Sequence, residues 1–144
     1  MLTVKRIMET LGGTKVLGET APTQAGLLSC VRAGLPYKSF TALSSAFGVD
    51  PREMTAIVRL PPRTLARRKT ENRLRADESD RLLRMARVAA LAEDVLGGRE
   101  RAARWLRSPI RALNNETPLR QMDTDLGARE VENILLRTAY GVHS

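Results

Sequence analysis

With 144 residues the chain is long enough for one good core or two small ones, and too short for a large enzyme. Hydrophobic residues at 42% suit a globular fold, while aromatics at 3% leave its core to Leu, Ala, Val, Ile and Met. The 24 Lys plus Arg against 16 Asp plus Glu give +8, a charge that attracts a nucleic-acid backbone, an anionic membrane surface or an acidic protein.

The period-2 alternation of a half-buried strand is absent over useful lengths, so the pattern is helical throughout. Val4, Ile7, Met8 and Leu11 share one helical face, stopped by Gly12-Gly13, and a loop rich in Thr and Gly with Pro22 follows. A second helix runs from Gln24 to Ala33 and ends at Gly34. Within it Cys30, the only cysteine, sits among Leu27, Leu28 and Val31 as a small buried hydrophobe. One cysteine excludes an internal disulfide and a thiolate zinc site. Pro36 opens the next helix, with Phe40, Leu43 and Phe47 inward and Gly48 as its stop.

Asp50-Pro51-Arg52-Glu53 combines a cap residue, proline at the first helical position and a carboxylate at the third. The helix it starts turns Met54, Ile57 and Val58 inward and ends at Leu60-Pro61-Pro62. A basic helix then begins near Pro62, with Leu65 as its apolar anchor and Arg63, Thr64, Arg67 and Arg68 directed away from the core. Two short helices joined by a tight turn, the second basic, describe a helix-turn-helix, whose recognition helix needs side chains that reach base edges in the major groove. Arg pairs bidentately with guanine and Thr suits several bases. The flanking Arg52, Arg59, Lys69 and Arg73 are placed to neutralise phosphates. An ordinary basic surface helix, or one that contacts protein, has the same shape.

A longer helix follows, with Asp77 as its cap, a wide apolar face that includes Leu82, Ala86, Ala89 and Val95, an Asp80–Arg84 pair at i,i+4, and Gly97-Gly98 as its end. Residues 99–107 form a short amphipathic helix that carries the sole tryptophan, Trp105. Thr117-Pro118 starts a helix of one or two turns with Leu119 and Met122 inward. Asp123 or Thr124 caps the last helix, where Ala128, Val131, Leu135 and Thr138 share a face and Arg129, Asn133 and Arg137 form a polar stripe. Residues 112–144 hold three Arg against five acids, so a basic body carries a mildly acidic tail, the pattern of two different partners.

Arg104-Trp105-Leu106-Arg107-Ser108-Pro109-Ile110-Arg111-Ala112-Leu113, with Thr117-Pro118-Leu119, Asp123-Thr124, Gly127 and Val131, closely resembles the toxin-binding domain of the Xre/MbcA/ParS antitoxin family. Arg63-Thr64-Leu65-Ala66-Arg67-Arg68, followed by Glu78-Ser79-Asp80-Arg81-Leu82, resembles that family's Xre-type helix-turn-helix domain, with Pro61-Pro62 where the family has a capping serine. The resemblance covers roughly residues 36–144 and implies an all-α fold: an N-terminal helix-turn-helix bundle followed by a small helical toxin-binding domain. Residues 1–35 become an N-terminal extension, 36–75 the DNA-binding region and 76–144 the toxin-binding domain. It also implies a cognate RES-domain toxin that consumes NAD⁺, operator DNA as a second partner, autorepression and a homodimer. The toxin-facing residues are then Asp123, Arg129, Asn133, Arg137, Tyr140, Gly141, Val142, His143 and Ser144, which occlude the toxin's active-site cleft.

Catalytic readings find little support. No phosphate-cradling GxxxxGK run exists, the single His143 lies at the terminus, and the carboxylates fall mainly in helix caps and i,i+4 pairs. No cofactor or metal is expected. The N-terminus lacks the apolar run of a secretory signal, and no stretch nears the roughly 20 apolar residues of a membrane span, so a cytoplasmic location is expected. A different class of function stays open: a stand-alone helix-turn-helix regulator whose C-terminal third only dimerises.

Overall fold

Short capping signals set most helix boundaries in the computed structural model, which describes residues 2–141. Thr3 accepts from the Arg6 N–H to start α1 (Val4–Thr10), and Thr23 accepts from the Gly26 N–H to start α3 (Gln24–Ala33). Between them the expected loop contains one helical turn, α2 (Thr14–Leu17). Helix α4 (Tyr37–Phe47) follows Pro36 and stops at Gly48 in the left-handed conformation. Asp50 accepts from the Arg52 N–H at 2.8 Å to start α5 (Pro51–Val58), and α6 (Pro62–Glu71) follows after the turn 59–61.

The longest helix, α7 (Ala76–Leu96), is followed by α8 (Arg99–Leu106), a 3-10 turn (Arg111–Leu113), α9 (Pro118–Gln121) and α10 (Asp125–Ala139). Thr117 and Thr124 supply the caps of the last two helices. The start of α7 differs from expectation. Asp77 already lies in its first turn, and the capping bond comes from the Glu78 carboxylate, which accepts from the Arg75 N–H at 2.8 Å. The ion pair on this helix joins Asp77 to Arg81 at 3.5 Å; Arg84 donates instead to the Met122 carbonyl. No strand forms among the described residues, and none of their helices is long and apolar enough to cross a membrane.

One continuous apolar cluster runs from Ile7 to Leu135. Helix α7 is its axis: α1, α3, α4, α5, α8 and α10 all pack on it. Leu82, Met85, Ala86, Val88, Ala89, Ala90 and Ala92 are buried on several sides of the helix at once, and the alanines let neighbouring backbones approach closely. Ala128, Val131 and Leu135 seat α10 against it, whereas Thr138 is exposed. Cys30 and Trp105 pack half-buried at the edge.

Arginines close the ends of the helices from across the fold. Arg73 Nη1 donates to the Ala33 and Gly34 carbonyls after α3, and Arg81 Nε donates to the Val58 carbonyl after α5. Arg107 Nη1 reaches Gly48 after α4, and Arg84 reaches Met122 after α9. A helix leaves its last carbonyls without partners and carries partial negative charge at its C-terminus, so each guanidinium meets both needs.

Candidate nucleic-acid interface and C-terminal face

The Asp50 cap fixes the start of α5, and Met54, Ile57 and Val58 bury it. The residue after it, Arg59, takes a left-handed conformation, φ 58°, that turns the chain within three residues into α6. Leu60 is buried in that turn and anchors it in the core. Proline at the N-cap of α6 offers no side-chain oxygen, and the helix starts without a side-chain cap.

On α6, Arg63, Ala66, Arg67 and Thr70 form an exposed stripe. Thr64 sits half-buried at its edge and Lys69 is exposed on the flank. Small Ala66 between two arginines leaves room for a groove wall to approach. Arg52 and Arg59 are exposed on the preceding helix and turn. Thus Arg52, Arg59, Arg63, Arg67 and Lys69 place cationic side chains at the surface of one helix-turn-helix.

Arg68 departs from the expected outward direction. It lies on the same side of the helix as Leu65 and is only 3% exposed. Its Nε and Nη2 donate to the two carboxylate oxygens of Glu78 at 2.7 and 3.0 Å. The Glu78 hydrogen bond raises the guanidinium's pKa against the lowering effect of burial, and the charges of Glu78, Glu71 and Asp77 add to it. For Glu78, burial pushes the carboxyl up. The Arg68 hydrogen bond, the Arg75 N–H and the Arg68 charge outweigh that and hold it below its ordinary value. Arg73, expected at a phosphate, is engaged by its Nη1 at the end of α3.

At the other end of the molecule, Thr124 accepts from the Gly127 N–H at 3.0 Å and starts α10. A methyl group on Gly127 would collide with the Gln121 carbonyl, so the first turn of α10 sits directly against α9. Opposite Val131, the helix presents Leu126, Arg129, Asn133, Leu136, Arg137 and Tyr140 in one exposed stripe. Leu126 is 75% and Tyr140 78% exposed, an outlay of apolar surface that contrasts with the buried leucines around it.

Arg129 pairs with Asp125 at 2.9 Å at the exposed surface, and Asp123 lies exposed before the helix. A groove of about 490 Å³ flanks the stripe, lined by Leu2, Leu91, Val95, Leu136, Ala139 and Tyr140 among others. Gly141 follows, exposed; Val142, His143 and Ser144 lie outside the described residues. The sequence reading missed Leu126 and Leu136, although Leu126 was detectable as a leucine off the period of Ala128, Val131 and Leu135.

Comparison with known proteins matches both faces to domains. Residues 27–87 match the antitoxin Xre-like helix-turn-helix domain, and residues 91–141 match the antitoxin Xre/MbcA/ParS C-terminal toxin-binding domain. An antitoxin Xre of Photorhabdus laumondii is 31% identical over 127 residues, covering 85% of this chain and 86% of the relative. One from Yersinia enterocolitica is 28% identical over 130 residues, covering 89% of this chain and 88% of the relative. One from Pseudomonas putida is 41% identical over 83 residues, covering 57% of this chain and 52% of that protein. These are binding and regulatory domains rather than enzymes. With a helix-turn-helix domain and a toxin-binding domain in that order on one core, the chain belongs to the antitoxin Xre family.

Proposed function

We propose that this antitoxin inhibits a cognate RES-domain toxin that consumes NAD⁺, and that it represses its own operon from a palindromic operator as a cytoplasmic homodimer. In this reading residues 36–75 serve DNA and residues 76–144 serve the toxin. Arg63, Thr64 and Arg67 enter the major groove, while Arg52, Arg59 and Lys69 hold phosphates. Arg73 adds charge near the backbone, although its Nη1 is engaged at the end of α3. Asp123, Arg129, Asn133, Arg137, Tyr140 and Gly141, with Val142, His143 and Ser144 beyond them, face the toxin's active-site cleft, and exposed Leu126 and Leu136 join them.

The observation that carries the reading is the separation of two outward faces on one folded body. The basic stripe of α6 lies on the helix-turn-helix, and the mixed apolar and polar stripe of α10 lies in the toxin-binding domain. A basic groove-reading helix suits a polyanion, whereas Leu126, Asn133 and Tyr140 suit a protein surface.

The test is cellular. The product of the adjacent gene is expressed with the wild-type chain or with Leu126→Asp/Tyr140→Ala, and NAD⁺ and growth are followed. Preservation of NAD⁺ by the wild type and its loss with the folded double variant are expected. A harmless neighbour, or a variant that protects as well as the wild type, removes the toxin-occlusion reading. A double variant that instead loses only self-association points to a stand-alone regulator.

A further inference from the structure

The outward stripe of α6 depends on how the helix is held from behind, and apolar contact supplies little of that hold. Leu65 is half-buried, and among α6 residues only Arg68 is buried. A single carboxylate does the work. Glu78 accepts from Arg68 Nε at 2.7 Å, from Arg68 Nη2 at 3.0 Å and from the Arg75 N–H at 2.8 Å. It therefore clamps the recognition helix and caps the first turn of α7 at once.

Ser79, the next residue, accepts from the Leu35 N–H at 2.7 Å, and Arg81 donates to Val58 at the end of α5. The start of α7 thus collects the end of α3, the end of α5 and the middle of α6. A forked two-bond contact fixes angle as well as distance, whereas apolar contact is non-directional.

We propose that Arg68 and Glu78 are positioning residues for DNA recognition: their buried, forked pair sets the pitch and rotation of α6 on α7, and with them the place of Arg63 and Arg67 over the bases. The proposal rests on the DNA-binding reading of α6. It assigns to Arg68 a role through its neighbours and no contact with DNA.

Two measurements on the full-length chain test it, with Glu78→Gln, Arg68→Lys and the double change Arg68→Met/Glu78→Leu. The double change replaces the pair by apolar groups and keeps the comparison open should Glu78→Gln fail to fold. Amide hydrogen exchange on the free protein reads how firmly α6 is held. Sequence preference is the ratio of affinities for duplexes that the wild type selects from a randomised pool and for the unselected pool, at one salt concentration.

In the double variant, exchange in residues 63–71 should rise about tenfold or more while residues 126–139 keep wild-type protection. Preference should fall about tenfold, the equivalent of one good base contact, with affinity for the unselected pool retained. Arg68→Lys, which keeps the charge and loses the fork, should fail to restore preference. Unchanged exchange in residues 63–71 overturns the proposal, as does faster exchange with wild-type preference, or full rescue by lysine. A wild type that selects no sequence overturns the DNA reading and the positioning role with it, while exchange still reports separately whether the pair holds the helix.

Discussion

Replacing Arg67 by alanine removes an exposed guanidinium from the outward stripe of α6. We expect binding to a preferred duplex to weaken by about 1–3 kcal/mol with relaxed specificity, and stability to change by no more than about 0.5 kcal/mol. Equal weakening on every sequence in a binding titration would show that Arg67 holds only phosphate. The next residue behaves differently. Arg68→Ala leaves the Glu78 carboxylate buried without its ionic partner, a loss of roughly 3–5 kcal/mol that urea denaturation will register.

The same pair gives a pH dependence with a defined sign. The folded-state pKa of Glu78 lies below its ordinary value, so its contribution is complete above the unfolded carboxylate range and disappears as pH falls through the folded value. The stability difference between wild type and Glu78→Gln should therefore be full at pH 7 and shrink below about pH 4. A difference that is flat into acid would contradict the ionic account. Glu71 and Asp77 also face this cluster, so the comparison with the amide variant isolates the Glu78 share.

At the scale of elements, Gly127 is the residue on which the C-terminal face depends. Gly127→Ala places a methyl group against the Gln121 carbonyl, and backbone cannot move aside as a side chain tip does. We expect a loss of about 1–3 kcal/mol in thermal or urea unfolding, and on the proposed toxin-facing role of Leu126 and Arg129, at the start of α10, weakened toxin binding as well. Most of these elements were readable beforehand, since a local chemical group fixes each boundary: Asp50 for α5, Gly48 for α4, Gly97 for α7. Four-residue α2 was not, because one turn has no apolar period to detect.

Direction of the charged side chains was the harder part. Arg68 lies three residues after Leu65, so helical spacing already put it on the inward side; its charge argued otherwise, and only Glu78, ten residues on, explains how it is buried. Arg73 looks like a phosphate ligand in sequence because the carbonyls that it caps belong to residues 39 and 40 positions away. Arg63 and Arg67 on α6 and the polar positions Arg129, Asn133 and Arg137 of α10 were legible as outward-facing, while Leu126 and Leu136 were passed over because leucine is ordinarily assigned to a core.

For the molecule as a whole, the net +8 attracts a polyanion, yet fewer guanidinium groups can bond phosphates directly, because Arg68 is buried in an ion pair and Arg73, Arg81, Arg84 and Arg107 each hold a backbone carbonyl. The DNA-facing and toxin-facing halves also share their core. A chain cut after Arg111 loses Leu113, Leu119, Met122, Val131 and Leu135, all buried, and uncovers the face of α7 against which α10 packs. We expect that fragment to lose its cooperative thermal transition in circular dichroism and to bind DNA poorly. A fragment that unfolds cooperatively would show that the helix-turn-helix is autonomous.

Helix α7 spans about 32 Å at 1.5 Å per residue, with its first turn bonded to α6 through Glu78 and α10 packed further along it. A protease that opens either end therefore removes the support of the other. On the proposed function, turnover of this chain withdraws inhibitor and repressor in one event, and synthesis must restore both together.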